Sequence, residues 1–329
     1  SAIRNPQSAI RNPQSAIRNL QSAICNNSCA LSNPVKKSSQ MSIHTIITHP
    51  GSAHKDDFLA CCVLVHSHAA AVERRNPTPE ELRDPNVAVV DVGGEHDPAS
   101  ANFDHHQFPK DHPPVCALSL VLQDLGIYDD ARQFCDWLEP AEWFDCRGAA
   151  ETARWLGVER QIMSRLNSPI DVTLLRRFAS ARKLTPDDAL WHVMGFVGED
   201  LVGFVTSLRK RLTFIGDHAE FWTIDSDGSS FDAAFLPRTN PLPENPSSGL
   251  PRFIEGSDHP RTVIAMVYPD RRGTGYGLSR HNDDLTMDFT QIADCEDVHF
   301  AHARGFVAKT SATDPARLRE LLALAYKPS

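Results

Sequence analysis

The sequence predicts an α/β protein, and three observations lead to this class. Short apolar runs rich in β-branched residues, residues 42–48 and 87–92, indicate buried strands. Between them lies a strongly apolar run of good helix formers, residues 57–72, which begins next to Asp56 and Asp57, natural N-cap residues. Strand, helix and strand in this order predict a βαβ unit with a right-handed crossover, and so a doubly wound, mainly parallel sheet.

The rest of the chain divides into a helical part and a second, smaller α/β part. The helical patterns cover residues 116–125, 131–138, 141–156 with a break near Gly148, 172–180 and 186–215. After about His218 short strands are predicted over residues 220–224, 230–236 and 262–268. Residues 273–279 alternate Gly with Tyr and Leu, residues 297–301 and 305–308 indicate a strand and a turn, and a closing helix is predicted at 315–326. We therefore expect one domain over residues 41–215 and a second, smaller one over residues 216–329.

The first forty residues form a decaying seven-residue repeat that begins as SAIRNPQ. Pro6 and Pro13 argue against a coiled coil, although seven is also the coiled-coil period. We expect a disordered tail, with Met41 as a plausible true start. An organellar transit segment is the alternative, because the tail has five basic residues and no acidic one.

Charge and cysteine usage restrict the class of protein. Five of the 33 basic residues and none of the 42 acidic residues lie in the tail, which leaves 28 against 42 and a net charge of −14 for residues 41–329. This balance disfavours a wide duplex-binding surface and leaves small phosphates or short strands open as substrates. The eight cysteines form no CxxC pair, which indicates reduced thiols in a cytoplasmic protein rather than a zinc ribbon. No apolar run is long enough for a membrane helix, and a homo-oligomer is compatible with the sequence.

Histidines and aspartates collect in three clusters, each after an apolar β-branched run. Nine of the fifteen histidines lie between His44 and His112. The clusters are THPGSAHKDD at residues 48–57, VVDVGG at 89–94 and FDHHQ at 103–107. Because ligands bind at the carboxyl edge of a parallel sheet, the clusters predict one metal site there. Imidazole with carboxylate suits Mn, Fe, Co or Zn rather than Ca.

Each cluster also has a plain structural interpretation. His49, His54 and Asp56 can be polar loop residues, and Asp91 can belong to a turn whose glycines adopt unusual backbone angles. Asp104, His105 and His106 have no packing rationale, because burying adjacent imidazoles and a carboxylate costs several kcal/mol unless they are coordinated or hydrogen-bonded. We therefore interpret this third cluster as functional.

The order of these three motifs resembles the DHH phosphoesterase superfamily, and more narrowly the melanocyte proliferating gene family of metal-dependent hydrolases and exonucleases. The resemblance covers nearly all of residues 41–329. Pro50, Ala53 and Asp57 stand where the family has Asn, Phe and Glu. The segment YGLSR at residues 276–280 resembles the Ser-Leu-Arg-Ser strand of the DHH-associated substrate domain, and residues 299–306 resemble its Gly-Gly-Gly-His segment without the glycines.

The resemblance implies roles for individual residues. A fourth motif should supply one more metal-bridging aspartate, for which Asp145 is the candidate and Asp136 the fallback, although the usual Asn-Gly is absent. Asp104 and His106 are the expected catalytic residues, with Asp104 orienting or ligating and His106 facing the substrate phosphate. The second domain should contact phosphate or a chain terminus through Arg280, His302 and Arg304. The expected metal ligands are His49, His54, Asp56, Asp91, His105 and Asp145.

Together these features predict a two-metal phosphoester hydrolase. Mn²⁺ is the expected metal by resemblance and ligand type, and Mg²⁺, Co²⁺ and Zn²⁺ are alternatives. The expected activity is that of a phosphodiesterase, a 3′–5′ exonuclease-like enzyme that acts on short single-stranded RNA or DNA, with the site in a cleft between the domains. One alternative is a hydrolase of pyrophosphate or a dinucleotide, which the acidic body favours. Another is a metal-stabilised scaffold without turnover, suggested by the divergent Asp145 segment and the missing glycines before His302.

Overall fold

The computed structural model of the chain describes residues 42–165, 168–226 and 228–327. The predicted tail, residues 1–40, lies outside this part. The described chain divides into two compact units, residues 42–208 and 209–327, and the boundary falls within one long helix. The predicted domain limits at residues 215 and 216 stay a prediction.

The first unit contains a six-stranded sheet whose central strands are parallel. Its strands are β1 (Thr45–Thr48), β2 (Ala71–Arg74), β3 (Val87–Val90), β4 (His96–Asp97), β5 (Asn102–Phe103) and β6 (Lys183–Leu184). They lie in the order β4-β5-β3-β1-β2-β6. The pairs β5/β3, β3/β1 and β1/β2 are parallel, and β4 and β6 add antiparallel edges. The predicted α/β class is confirmed.

Seven helices described in this part of the chain accompany the sheet: α1 (Lys55–His68), α2 (Ala117–Asp124), α3 (Tyr128–Phe134), α4 (Leu138–Leu156), α5 (Arg160–Arg165), α6 (Pro169–Ser180) and α7 (Ala189–His218). Helix α1 packs against β1, β2 and β3 and against α2, and its central residues from Ala60 to Val65 are buried. On the other side of the sheet Ile47, Val87 and Val89 pack against Leu82 and Val92. Burial on both faces explains why β3 is a continuous apolar run, VAVV, and why β1 has two adjacent buried isoleucines, Ile46 and Ile47.

Strand β2 corrects the sequence-based prediction for this region. We expected a helix through Val72 and took residues 87–92 as the next strand. Instead α1 ends at His68, Ala69 adopts a left-handed conformation, and β2 pairs in parallel with β1, with Ala71 opposite Thr45. Pairing with β1 and the burial of Val72 outweigh the helix propensity of the alanines. The βαβ unit therefore ends at β2, and β3 pairs with the other side of β1.

The second unit contains a mostly antiparallel sheet with helices on both faces. Its strands are β7 (Glu220–Ser226), β8 (Ser229–Phe235), β9 (Val263–Pro269), β10 (Tyr276–Arg280), β11 (Val298–Ala301) and β12 (Val307–Thr310), in the order β11-β12-β10-β9-β8-β7. Only β8 and β9 are parallel among these described neighbours. Helix α9 (Pro315–Ala325) packs Leu318, Leu321 and Leu322 on one face, and α8 (Leu250–Glu255) packs Leu250 and Ile254 on the other.

No described helix is both long and apolar enough to cross a bilayer.

Candidate metal centre

The parallel register brings the three predicted clusters to one edge of the first sheet. Thr48 lies opposite Val90, and Val90 lies opposite Phe103. The residues that follow these strand ends are therefore His49 after β1, Asp91 after β3 and Asp104 after β5. Since the carboxyl ends of parallel strands share an edge, these three side chains start from neighbouring positions. The strand register thus assembles the site from short segments distant in sequence.

Asp91 holds its position through an unusual backbone conformation. Its φ is 57°, in the left-handed region that non-glycine residues rarely adopt. Its backbone N–H still donates to the Phe103 carbonyl at 3.1 Å, so β3 and β5 stay paired up to this residue. Such strain costs about 1–3 kcal/mol and is typical of functional sites.

The first turn of α1 contributes two further carboxylates, those of Asp56 and Asp57. Asp57 Oδ1 accepts a hydrogen bond of 2.7 Å from the His54 backbone N–H, and its Oδ2 lies 3.0 Å from the buried Arg74 guanidinium. Arg74 also donates to the carbonyls of Gly51 and Ser52. Asp57 therefore fixes the loop before α1, a role that the sequence could not show because it depends on β2.

Asp56 has no such partner. Its side chain is 3% exposed, and neither carboxylate oxygen has a hydrogen bond. Burial, together with the neighbouring charges of Asp91 and Asp145, holds the pKa of Asp56 well above its usual range. A buried carboxyl without a hydrogen bond, close to other carboxylates, indicates a place that a cation would stabilise.

His105 lies between two carboxylates on different elements. Its Nε2 is 3.1 Å from Asp91 Oδ1 and 3.0 Å from Asp145 Oδ2, although Asp145 Oδ2 is not aligned to accept a hydrogen bond. Burial lowers the pKa of His105, but the facing Asp145 and Asp91 carboxylates outweigh it and raise the pKa to about 12. Asp145 lies on α4, three residues before the break that the structure places at Gly148.

His49 and His54 complete this edge. His49 Nε2 lies 3.3 Å from Asp57 Oδ2 and 3.5 Å from Asp91 Oδ2. Asp57 raises the pKa of His49 to about 9, against the opposing effect of burial. His54 is more open, with 54% of its side chain exposed, and its Nδ1 lies 3.7 Å from Asp145 Oδ1.

Asp104 and His106 form a separate hydrogen-bonded pair. Asp104 Oδ2 accepts from the Gly94 backbone N–H at 2.7 Å, and Oδ1 accepts from the backbone N–H of His106 and from its Nδ1. Burial opposes them, yet these hydrogen bonds keep the pKa of Asp104 below its usual range. Asp104 thus orients the His106 ring, whose side chain is 64% exposed.

Four overlapping groups of side chains offer ligand atoms within 4.8 Å of one another. They are His49, His54 and Asp91; Asp91, His105 and His106; His105, Asp145 and Cys146; and His54, Asp56 and Asp145. All six predicted metal ligands and His106 are in these groups, whereas Asp104 and the fallback Asp136 are not. This mixture of imidazole and carboxylate, with buried atoms that lack partners, fits a divalent transition metal.

Cys146 belongs to one of these groups and was not among the predicted site residues. Its position next to Asp145 was a signal in the sequence, but the contact with His105 joins residues 41 positions apart. The sequence alone therefore could not distinguish it from the buried thiols Cys61 and Cys62.

The predicted substrate residues lie together in the second unit. Arg280, at the end of β10, donates its backbone N–H to the Phe306 carbonyl, and its side chain contacts Met287 and Asp283. His302 and Arg304 lie in the turn between β11 and β12, where the Arg304 N–H donates to His302 Nδ1. The structure thus brings residues 276–280 into contact with residues 299–306, the two segments that resemble motifs of the substrate domain. Their contacts with a substrate stay a prediction.

Comparison with known proteins agrees with the first-unit motifs. Residues 45–113 match the MYG1 exonuclease family model, described as an uncharacterised protein family (UPF0160). The MYG1 exonucleases of Mus musculus and Homo sapiens are each 41% identical over 73 residues, which is 22% of this chain and 19% of each relative. That of Rattus norvegicus is 39% identical over 75 residues, with the same coverage. The matched part thus spans about a fifth of the length of these curated relatives. The segment that carries the three clusters is thus similar to the MYG1 exonuclease family.

Proposed function

We propose that this protein is a metal-dependent hydrolase that cuts phosphodiester bonds in short single-stranded nucleic acid. The name of its relatives, MYG1 exonuclease, supports a nuclease activity. The order of the three clusters supports a place in the DHH superfamily. The observation that carries the proposal is Asp56, which is buried without a partner beside Asp91 and Asp145.

The ligand groups suggest how two cations would be held. One position would use His49 and Asp91 with His54 or Asp56, and the other would use His105 and Asp145 and share Asp56 or Asp91. Mn²⁺ suits these ligands better than Mg²⁺, which prefers oxygen. Two such cations, when bound, would activate a water molecule and stabilise the charge of an in-line displacement at phosphorus.

The chain's own residues would position the substrate and move protons. Asp104 accepts from His106 Nδ1, so the ring presents Nε2 outwards. An exposed imidazole fixed in this way can contact a phosphate oxygen or transfer a proton to a leaving group. In the second unit Arg304 is exposed and His302 is half-buried, so both can reach a nucleic acid phosphate.

A small phosphate substrate is the second candidate, because residues 41–329 carry a net charge of −14. A strongly acidic surface repels a long polyanion more than a dinucleotide or pyrophosphate. Activity that falls as the substrate lengthens would favour this candidate.

The test is hydrolysis by metal-stripped protein with Mn²⁺ titrated back. Substrates would be 5′-labelled single-stranded RNA and DNA, a dinucleotide and pyrophosphate. We expect labelled strands to shorten stepwise from the 3′ end, which leaves a ladder, whereas removal from the 5′ end would release labelled mononucleotide at once. His105→Ala should abolish the reaction, and His44→Ala, an exposed histidine at the start of β1, should not. Cleavage that persists in excess chelator or in His105→Ala would overturn the proposal.

A further inference from the structure

Cys146 touches the candidate metal centre directly. Its Sγ lies 3.8 Å from His105 Nδ1, on the side of the ring away from Asp91 and Asp145. The thiol donates a hydrogen bond of 3.2 Å to the Val115 carbonyl. Cys146 is half-buried, unlike Cys61 and Cys62, which lie in the apolar core of α1. A purely structural role in the core, which suits Cys61 and Cys62, does not explain why the Cys146 sulfur lies against the His105 imidazole.

The spacing of His105, Asp145 and Cys146 suits a metal. The three residues offer nitrogen, oxygen and sulfur atoms that all lie within 4.8 Å of one another. A tetrahedral zinc ion with ordinary bond lengths would separate its nitrogen and sulfur ligands by about 3.5 Å. The observed 3.8 Å between His105 Nδ1 and Cys146 Sγ is close to that separation, so a cation bound by Cys146 would take Nδ1 of His105, while Nε2 faces Asp91 and Asp145.

Asp56 is a second sign of a bound cation, in the neighbouring ligand group. It is 3% exposed, its two oxygens have no hydrogen bond, and it shares a ligand group with Asp145. Asp145 therefore links the group of Cys146 to a buried carboxylate that lacks a partner. Cations held by these two groups would share Asp145 as a ligand and would give Asp56 a partner.

We propose that Cys146 is a metal ligand and that the position it serves prefers a thiophilic cation such as Zn²⁺ or Co²⁺ over Mg²⁺. Thiolate is a soft ligand and selects these ions. On binding, the Cys146 thiol releases its proton to solvent, the hydrogen bond to Val115 is lost, and a metal–sulfur bond forms. This inference rests on the metal centre of the proposed function and assigns one of its positions.

Cobalt provides a test that does not depend on activity. The metal-stripped full chain would be titrated with Co²⁺ while the near-ultraviolet absorption that reports thiolate-to-cobalt charge transfer is recorded. We expect this band in the wild type and in Cys295→Ser, a half-buried thiol of the second unit, and its loss in Cys146→Ser. Zn²⁺ affinity should fall at least about tenfold in Cys146→Ser, and Mg²⁺ affinity should stay the same.

A measurement on the wild type covers the case in which the variant does not fold. Alkylation by iodoacetamide, followed by mass spectrometry, would show whether Zn²⁺ protects Cys146 and leaves Cys295 reactive. Co²⁺ binding without the charge-transfer band, with Cys146 still alkylated, would overturn the inference and leave the proposed function intact. Failure of the wild type to bind any of these cations would overturn both.

Discussion

Without a bound cation, Asp56 destabilises the fold wherever the pH is above the ordinary pKa of an aspartate. Because its pKa is raised, the folded chain keeps a proton that the unfolded chain loses at lower pH. Its contribution to stability is therefore present in acid and is lost as the pH rises through the folded-state pKa. The metal-free protein should thus lose stability with rising pH because of this one residue.

Asp56→Asn tests this residue in both states of the site. Without metal at neutral pH the variant should be more stable than the wild type, because Asn removes the cost of keeping the buried carboxyl protonated or of burying its charge. With Mn²⁺ at about 100 times its Kd the wild type should gain about 2.7 kcal/mol, and the variant should gain much less. Thermal unfolding with and without Mn²⁺ measures both effects. An equal gain in the two proteins would show that Asp56 does not face a cation.

His49 makes metal binding depend on pH. Its pKa of about 9 means that the imidazole holds a proton at neutral pH when no metal is bound, and a ligand must be deprotonated. Metal affinity should therefore rise between pH 6 and pH 9, by about tenfold per pH unit for each proton released. Titration calorimetry at several pH values tests this, with His49→Gln expected to give a shallower slope. An affinity independent of pH would contradict the assignment.

At the scale of elements, the packing of α7 against α1 depends on a glycine. A Cβ atom at Gly198 would lie 2.1 Å from the Cys62 carbonyl oxygen, so the two helix backbones are in close contact. Gly198→Ala should force the helices apart and cost about 1–3 kcal/mol. Since α1 carries Asp56, metal affinity should also fall.

Gly203 provides a matched control on the same helix, because a Cβ atom there meets nothing within 4 Å. Gly203→Ala should be neutral or stabilise the protein by up to about 1 kcal/mol. Urea denaturation of the two variants compares them directly. Equal stabilities would mean that α7 and α1 are not in the contact described.

The sequence predicts those parts of the site that follow directly from strand ends. His49, Asp91 and Asp104 could be placed together because parallel strands end at one edge. Strand β2 could not be predicted, because its four residues follow an alanine-rich run and are too few to show the alternating hydrophobicity of a strand. The Arg74–Asp57 ion pair depends on β2 and was missed for the same reason. Cys146 was missed because only the fold brings it to His105.

At the scale of the whole molecule, the two units should have separable roles. The candidate metal ligands among the described residues lie in residues 42–208, and the predicted substrate residues lie in residues 209–327. His302→Ala and Arg304→Ala should therefore raise KM for an oligonucleotide several-fold without changing metal affinity. Arg271→Ala, an exposed arginine elsewhere in the second unit, is the control. Reduced metal affinity in His302→Ala or Arg304→Ala would contradict this division.

The most direct test of the metal centre is the position of bound manganese. Crystals of the full chain grown with Mn²⁺ would be measured at the manganese absorption edge, and anomalous difference peaks would be located. We expect two peaks about 3.5–4 Å apart, within bonding distance of Asp91, His105 and Asp145. Peaks elsewhere, or none at this sheet edge with Mn²⁺ in excess, would contradict the account.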